Sequence, residues 1–194
     1  MRATLPPTLV ALLLALVDAA APAQATDMTI VAGKRIGAVA IGMRRAQIEK
    51  LLGGAQVSNE LSPHRTNASW PLAGMGSLHV QFVDDVAVRV GTNAKEYATG
   101  DGLAVGSAQA SVRGLHPQTV ETDYSVARHG GVAARCHDDV AAGIGFEFDK
   151  SPAQREFVLR GIYVHAPGKA TPCARDDDPQ ATKKVGASGP TGDL

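Results

Sequence analysis

Apolar residues along this chain fall into two matching series. Behind Gly42, the residues Ala46, Ile48, Leu51 and Leu52 recur at helical spacing, with Arg44, Arg45, Gln47, Glu49 and Lys50 on the other face. This predicts an amphipathic helix over Met43 to Leu52, stopped by Gly53-Gly54. Sixty-four positions later, Ala110, Val112 and Leu115 repeat Ala46, Ile48 and Leu51 behind Gly106-Ser107. Ser107 is placed to cap this second helix and His116-Pro117 to end it.

Strict alternation follows each helix. Leu78-His79-Val80-Gln81-Phe82-Val83 reads as a half-buried strand, and Asp84-Asp85 turns it into Val86 to Val90. Ile144 to Phe148 and Phe157 to Val164 form the second such pair, with Val80, Phe82 and Asp85 recurring as Ile144, Phe146 and Asp149. One further strand is expected in each half, near Ala68 to Leu72 and near Val132 to Cys136, while polar Gln56 to Asn67 reads as a loop. The pattern predicts an α+β fold: two tandem repeats, each a helix packed on a short antiparallel β-sheet, joined near Asn93 to Thr99.

The ends of the chain differ from this middle. Arg2, the apolar run Leu9 to Val17 and the small residues Ala23-Gln24-Ala25 make a secretory signal at residues 1–25. The apolar run is too short to cross a bilayer and Asp18 interrupts it. With no cysteine at the cleavage site, no lipid anchor is expected, and the chain is placed in the periplasm or outside the cell. Residues 26–96 and 97–173 are then the two units, and 174–194, rich in Asp, Pro, Lys, Gly and Ser, a disordered tail.

Composition narrows the functional classes. The chain of 194 residues has 19 basic and 19 acidic side chains and no net charge, so no overall field draws it to nucleic acid. Aromatic residues are 4% of the chain, too few for rows of stacking platforms. Its two cysteines, Cys136 and Cys173, are read as a disulfide, as an even number in an exported chain implies. A metal site around Cys136-His137-Asp138-Asp139 is the competing reading, and it lacks the second short-spaced ligand pair that tetrahedral sites show.

The stretch Ile36-Gly37-Ala38-Val39-Ala40-Ile41-Gly42-Met43, with a helix ending at Leu52-Gly53, resembles the opening of small exported bacterial domains. These are the domains related to the beta-lactamase inhibitor protein and to the small lipoproteins of outer-membrane assembly. Tyr97-Ala98-Thr99-Gly100-Asp101-Gly102-Leu103-Ala104-Val105-Gly106 is similar to the same opening, so the resemblance spans most of residues 34–166. It implies two units sharing one continuous sheet, and recognition of another protein across an exposed sheet face. The chain departs from the inhibitors in having few aromatic residues and one candidate disulfide rather than one per unit.

Local catalytic signatures are missing. No Gly-x-Ser-x-Gly elbow occurs, and the six histidines include no His-Glu-x-x-His. Asp84-Asp85 and Asp138-Asp139 read as turn residues, because neighbouring strand side chains point to opposite faces. Candidate binding residues are Trp70, Arg89, Tyr97, Tyr124, Arg160 and Tyr163. Trp70 has two readings, core residue or interface anchor, separated by its exposure. The expected function is a non-enzymatic protein-binding module, inhibitor-like or an envelope-assembly accessory, with no cofactor and another exported or envelope protein as partner. The alternative is an exported hydrolase whose residues meet only in three dimensions.

Overall fold

Alternation with a period of two, and not the helical period, organises this molecule. The computed structural model describes residues 27–74, 76–126, 132–150, 155–169 and 182–184, the backbone alone for residues 124–126, 132–133 and 182–184. In the first half, β1 (Thr29–Val31), β2 (Arg35–Ile36) and β3 (Val39–Ala40) precede α1 (Arg45–Leu52), followed by β4 (Val57–Ser62), β5 (Arg65–Pro71), β6 (Ser77–Val83) and β7 (Val86–Thr92). The second half runs β8 (Ala98–Thr99), α2 (Gln109–Leu115), β9 (Val120–Val126), β10 (Val132–Asp139), β11 (Ile144–Lys150) and β12 (Val158–His165), and the short β13 (Thr182–Lys184) lies further on.

The expectation of an α+β fold with helices packed on short sheets is corrected: the protein is mostly β. Strands β4 to β7 and β9 to β12 form one antiparallel sheet in the order β9-β10-β11-β12-β7-β6-β5-β4, with β13 added beside β9. A second, four-stranded sheet runs β3-β2-β1-β8. The two helices are eight and seven residues long, and each buries one side chain, Ile48 or Val112. Ala46 is exposed, as are Leu51 and Leu52, so the apolar stripe read in the first helix is largely unused. Ser107 does not cap α2; its Oγ accepts a bond from the Ala104 N–H, and the N-cap is Ala108.

The hairpins lie where alternation places them. Asp84 and Asp85 both adopt positive φ, 49° and 59°, the geometry of a two-residue turn whose twist matches the strands it joins. Strands β4 and β9 were not anticipated. Val57-Ser58-Asn59-Glu60-Leu61-Ser62 lies at the sheet edge with its first four residues exposed, so no buried face writes an alternation into it.

Both halves anchor their helix entrances with the same bonds. The Gly42 N–H donates to Ala87 and the Gly106 N–H to Leu159, each 2.8 Å, while Ala87 and Leu159 donate back to Met43 and Ser107. Gly42 (φ 86°) and Gly106 (φ 102°) sit in the left-handed region that these turns require. A register shift falls between Gln81 and Phe82 and again between Glu147 and Phe148. The strand correspondence therefore sets Leu78, Val80 and Phe82 against Ile144, Phe146 and Phe148, two residues beyond the sixty-four-residue spacing. Pairing of β12 with β7, Ile162 opposite Thr92 and Val164 opposite Val90, makes the two hairpins one sheet.

One face of that sheet is the core. Trp70, Leu78, Val80, Phe82, Val90, Ile144, Phe146, Phe148, Leu159 and Ile162 are buried with Ile48 and Val112 of the helices and with Ile30, Ile36 and Val39 of the small sheet. Cys136 and Tyr163 form a separate buried pair on the opposite face.

Candidate functional site

A row of directly opposed residues crosses the core face of the sheet: Trp70, Leu78, Thr92, Ile162, Phe146, His137 and Glu121. It begins apolar and ends ionisable. The neighbouring rows end likewise, in Asp139 beyond Ile144 and in Arg135 and Asp123 beyond Phe148. Where the first half packs Trp70 and Ala68 beneath its helix end, the second half places charged and polar side chains beneath α2.

In the first half the helix end is held by Trp70. Its indole N–H donates to the Gly53 carbonyl at 2.8 Å, and the side chain is 2% exposed. In the second half the equivalent attachment is ionic. Arg113 of α2 grips Glu121 of β9 with two bonds, Nε to Oε1 at 2.8 Å and Nη2 to Oε2 at 2.9 Å. Arg135 of β10 holds Asp123 the same way at 2.6 and 3.1 Å, and stacks over the Phe157 ring. These forks match the planar shape of the carboxylates, and such paired geometry is the strong form of the interaction. Hydrogen bonds from Arg113 hold the Glu121 carboxyl below the usual range, and those from Arg135 do the same for Asp123.

His137 lies beneath this pair, fully buried with its ring 5.0 Å from that of Phe148. The Gln109 amide nitrogen is 2.8 Å from Nε2, and Thr119 Oγ1 is 3.4 Å from Nδ1. With the amide donating to Nε2, the proton of a neutral ring sits on Nδ1. Burial lowers the pKa of His137, in keeping with that neutral form, although Glu121 Oε1 at 3.6 Å pulls the other way.

His116, at the end of α2, donates Nδ1–H to Asp139 Oδ2 at 3.0 Å and packs against Phe146. Its Nε2 is buried and makes no hydrogen bond; the nearest carboxylate oxygen, Oδ2 of Asp101, is 3.7 Å away. Burial raises the Asp139 pKa, but bonds from His116 and from the Ala142 N–H outweigh it and the net direction is downward. A histidine bonded to a carboxylate is an arrangement that catalytic triads share, and here no hydroxyl or thiol of a described residue is hydrogen-bonded to Nε2. Among the described residues no group of three or more His, Cys, Asp or Glu is placed to hold a metal ion.

The candidates read from the sequence are dispersed. Trp70 is core. Tyr97 is 8% exposed and packs on Gly37, and burial raises its pKa. Tyr163 is 2% exposed, covered by the Arg89 guanidinium 3.7 Å above its ring, and Arg89 is tied to Glu147 at 2.6 Å. These four occupy no common surface. Arg160 points outward from β12, its side chain 64% exposed, with Asp149 3.6 Å away. Tyr124 pairs through its backbone with Ala134 in β10 and Lys183 in β13. Cys136 is buried with its sulfur 3.2 Å from the Tyr163 hydroxyl, and Cys173 lies outside the described residues. The residues that do converge, Arg113, Glu121, Asp123, Arg135, His137, His116 and Asp139, were not singled out as a set. Only an alternation running from Glu121 to Asp123 and from Arg135 to Asp139 marks them in the sequence.

No protein-family model matches the sequence, and no curated protein matches it. Among solved structures, a cysteine-rich secretory protein from Staphylococcus aureus is similar with a TM-score of 0.42 and 11% identity, over 64% of this chain. The chain spans 43% of the length of that protein, and a similarity of this size leaves the family of the present chain unassigned.

Proposed function

We propose that this chain is an exported, non-enzymatic protein-binding module that contacts another exported or envelope protein through the charged surface of α2, β9 and β10. The observation behind this reading is the pre-ordered quartet Arg113, Glu121, Asp123 and Arg135, held by fork-to-fork bonds and still 23–57% exposed. Side chains already fixed in place lose little freedom on binding, and opposed charges of fixed pattern select a complementary partner. Leu115, 48% exposed at the end of α2, adds an apolar contact beside them.

The test is affinity capture from the exported fraction of the host with the wild-type chain and with Arg113→Glu in parallel. A stoichiometric partner retained by the wild type and lost by the variant supports the reading. Equal capture by both, or none by either, overturns it.

A hydrolase is the second reading, favoured by one observation, the His116–Asp139 pair with its unpartnered Nε2. It requires a nucleophile or an activated water at that nitrogen. Turnover of ester or peptide substrates abolished by His116→Gln establishes it; no turnover across such a panel removes it.

A further inference from the structure

The two ends of the large sheet are not alike. At one end β9 is followed by β13, whose residues Thr182 to Lys184 pair with Ser125 to Asp123. At the other, β4 has a neighbour on one side only among the described residues, and Val57, Ser58, Asn59 and Glu60 are all exposed. An open edge presents a row of unpaired N–H and C=O groups, and proteins ordinarily guard such rows with lysine or proline. Between Val57 and Ser62 there is neither. The sole charge there is Glu60, and no described residue forms an ion pair with it.

From this edge we infer that β4 pairs with β4 of a second copy of the chain, antiparallel and about a two-fold axis at Asn59. The occupant follows from charge placement. Ser58 and Glu60 lie on the same face and are equidistant from Asn59, so antiparallel pairing sets Ser58 of each copy opposite Glu60 of the other. Ser58 is where the Arg45 guanidinium sits, Nη1 to Oγ at 3.3 Å, fixed there by a bond to Thr66, by its stack 4.8 Å over Phe82 and by Asp85, whose exposed carboxylate reaches only its Nε, at 3.3 Å. Each Glu60 therefore meets an arginine already in position, twice, by symmetry. An isologous interface requires this self-complementarity, which an unrelated extended segment would match only by chance. The strand is regular over the residues involved, Val57 to Glu60 pairing in step with Ser69 to Thr66, and its register shift comes after Glu60. The paired edges join two nine-stranded sheets, and this surface is at the opposite end of the sheet from the charged quartet, so it stands independently of the proposed function.

The experiment is sedimentation velocity on the full chain, with Glu60→Arg and Glu60→Gln alongside and far-ultraviolet circular dichroism as the folding control. The wild type is expected at twice the 20.0 kDa of one chain. Glu60→Arg, which opposes two guanidinium groups, is expected to weaken association about a hundredfold or more with unchanged dichroism, and Glu60→Gln to weaken it less. A wild type that sediments as a single chain at every concentration overturns the inference, as does a dimer indifferent to both substitutions. If Glu60→Arg loses its dichroism, Glu60→Gln decides.

Discussion

Tyr163 fills the space that a side chain at Gly145 would need. The two are directly opposed across β11 and β12, and a Cβ added at Gly145 falls 1.9 Å from Cζ of the tyrosine. The ring has little room to retreat, since Arg89 lies over it and its hydroxyl meets Cys136. Gly145→Ala is therefore expected to lower stability by about 1–3 kcal/mol, the usual cost of overpacking a filled site. Urea denaturation measures it, and a change within error of zero would show that the tyrosine moves freely.

Trp70 is the one tryptophan of the chain, so its fluorescence reports the first half alone. Buried beneath the α1 terminus, it is expected to emit at short wavelength and to shift red on unfolding. Trp70→Ala should cost about 3–5 kcal/mol through the cavity it leaves. Trp70→Phe should cost less, chiefly the bond to Gly53. A red-shifted emission from the native protein would contradict the burial.

Acid is expected to lower the stability of the whole chain in two stages, both of the same sign and both set by groups in its second half. His137 has a folded pKa below its free value of 6.5 because of burial, so the unfolded chain binds the extra proton first and stability falls as pH drops through and below 6.5. The lowered carboxyls contribute stability present above their free values, 4.5 for Glu121 and 3.8 for Asp123 and Asp139, and lost as pH falls through the lower folded values. His137→Gln should flatten the upper stage and leave the lower. Denaturant midpoints across pH resolve the two, and an upper slope unchanged in the variant would assign it elsewhere.

A bond between Cys136 and Cys173 predicts that neither cysteine reacts with a thiol reagent until the protein is reduced. The loop so closed holds 36 residues, and reduction is expected to cost roughly 3–4 kcal/mol by the loop-entropy argument. Intact-mass spectrometry after alkylation decides it. Labelling of both sulfurs without reductant would leave Cys136 as a buried thiol against Tyr163.

Alternation was legible where one face of a strand is buried and the other is not. Leu78, Val80 and Phe82 and the turn at Asp84-Asp85 are of this kind, and the glycines at 42 and 106 marked both helix entrances. Strands β4 and β9 were invisible because Val57 to Glu60 and Val120 to Asp123 bury too little to impose a pattern. The balance between helix and strand was misjudged for a related reason: helical spacing at Ala46, Leu51 and Leu52 describes a face that the fold leaves in solvent. The charged site was illegible because its members come from α2, β9 and β10, and the cross-strand rows that assemble them depend on register. Trp70 could be read either way until its bond to Gly53 placed it in the core.

The small sheet has a consequence for how the chain reaches this state. Strand β1, at the start of the first half, pairs in parallel with β8 of the second, Thr29 opposite Ala98 and Ile30 opposite Thr99, while β7 pairs with β12. Each half thus holds a strand that the other must cover, and neither closes its own hydrophobic layer. Folding is then a single cooperative event that waits for the whole chain to be available. A polypeptide severed between Asn93 and Glu96 should yield two fragments that are unstructured apart and regain strand content when mixed.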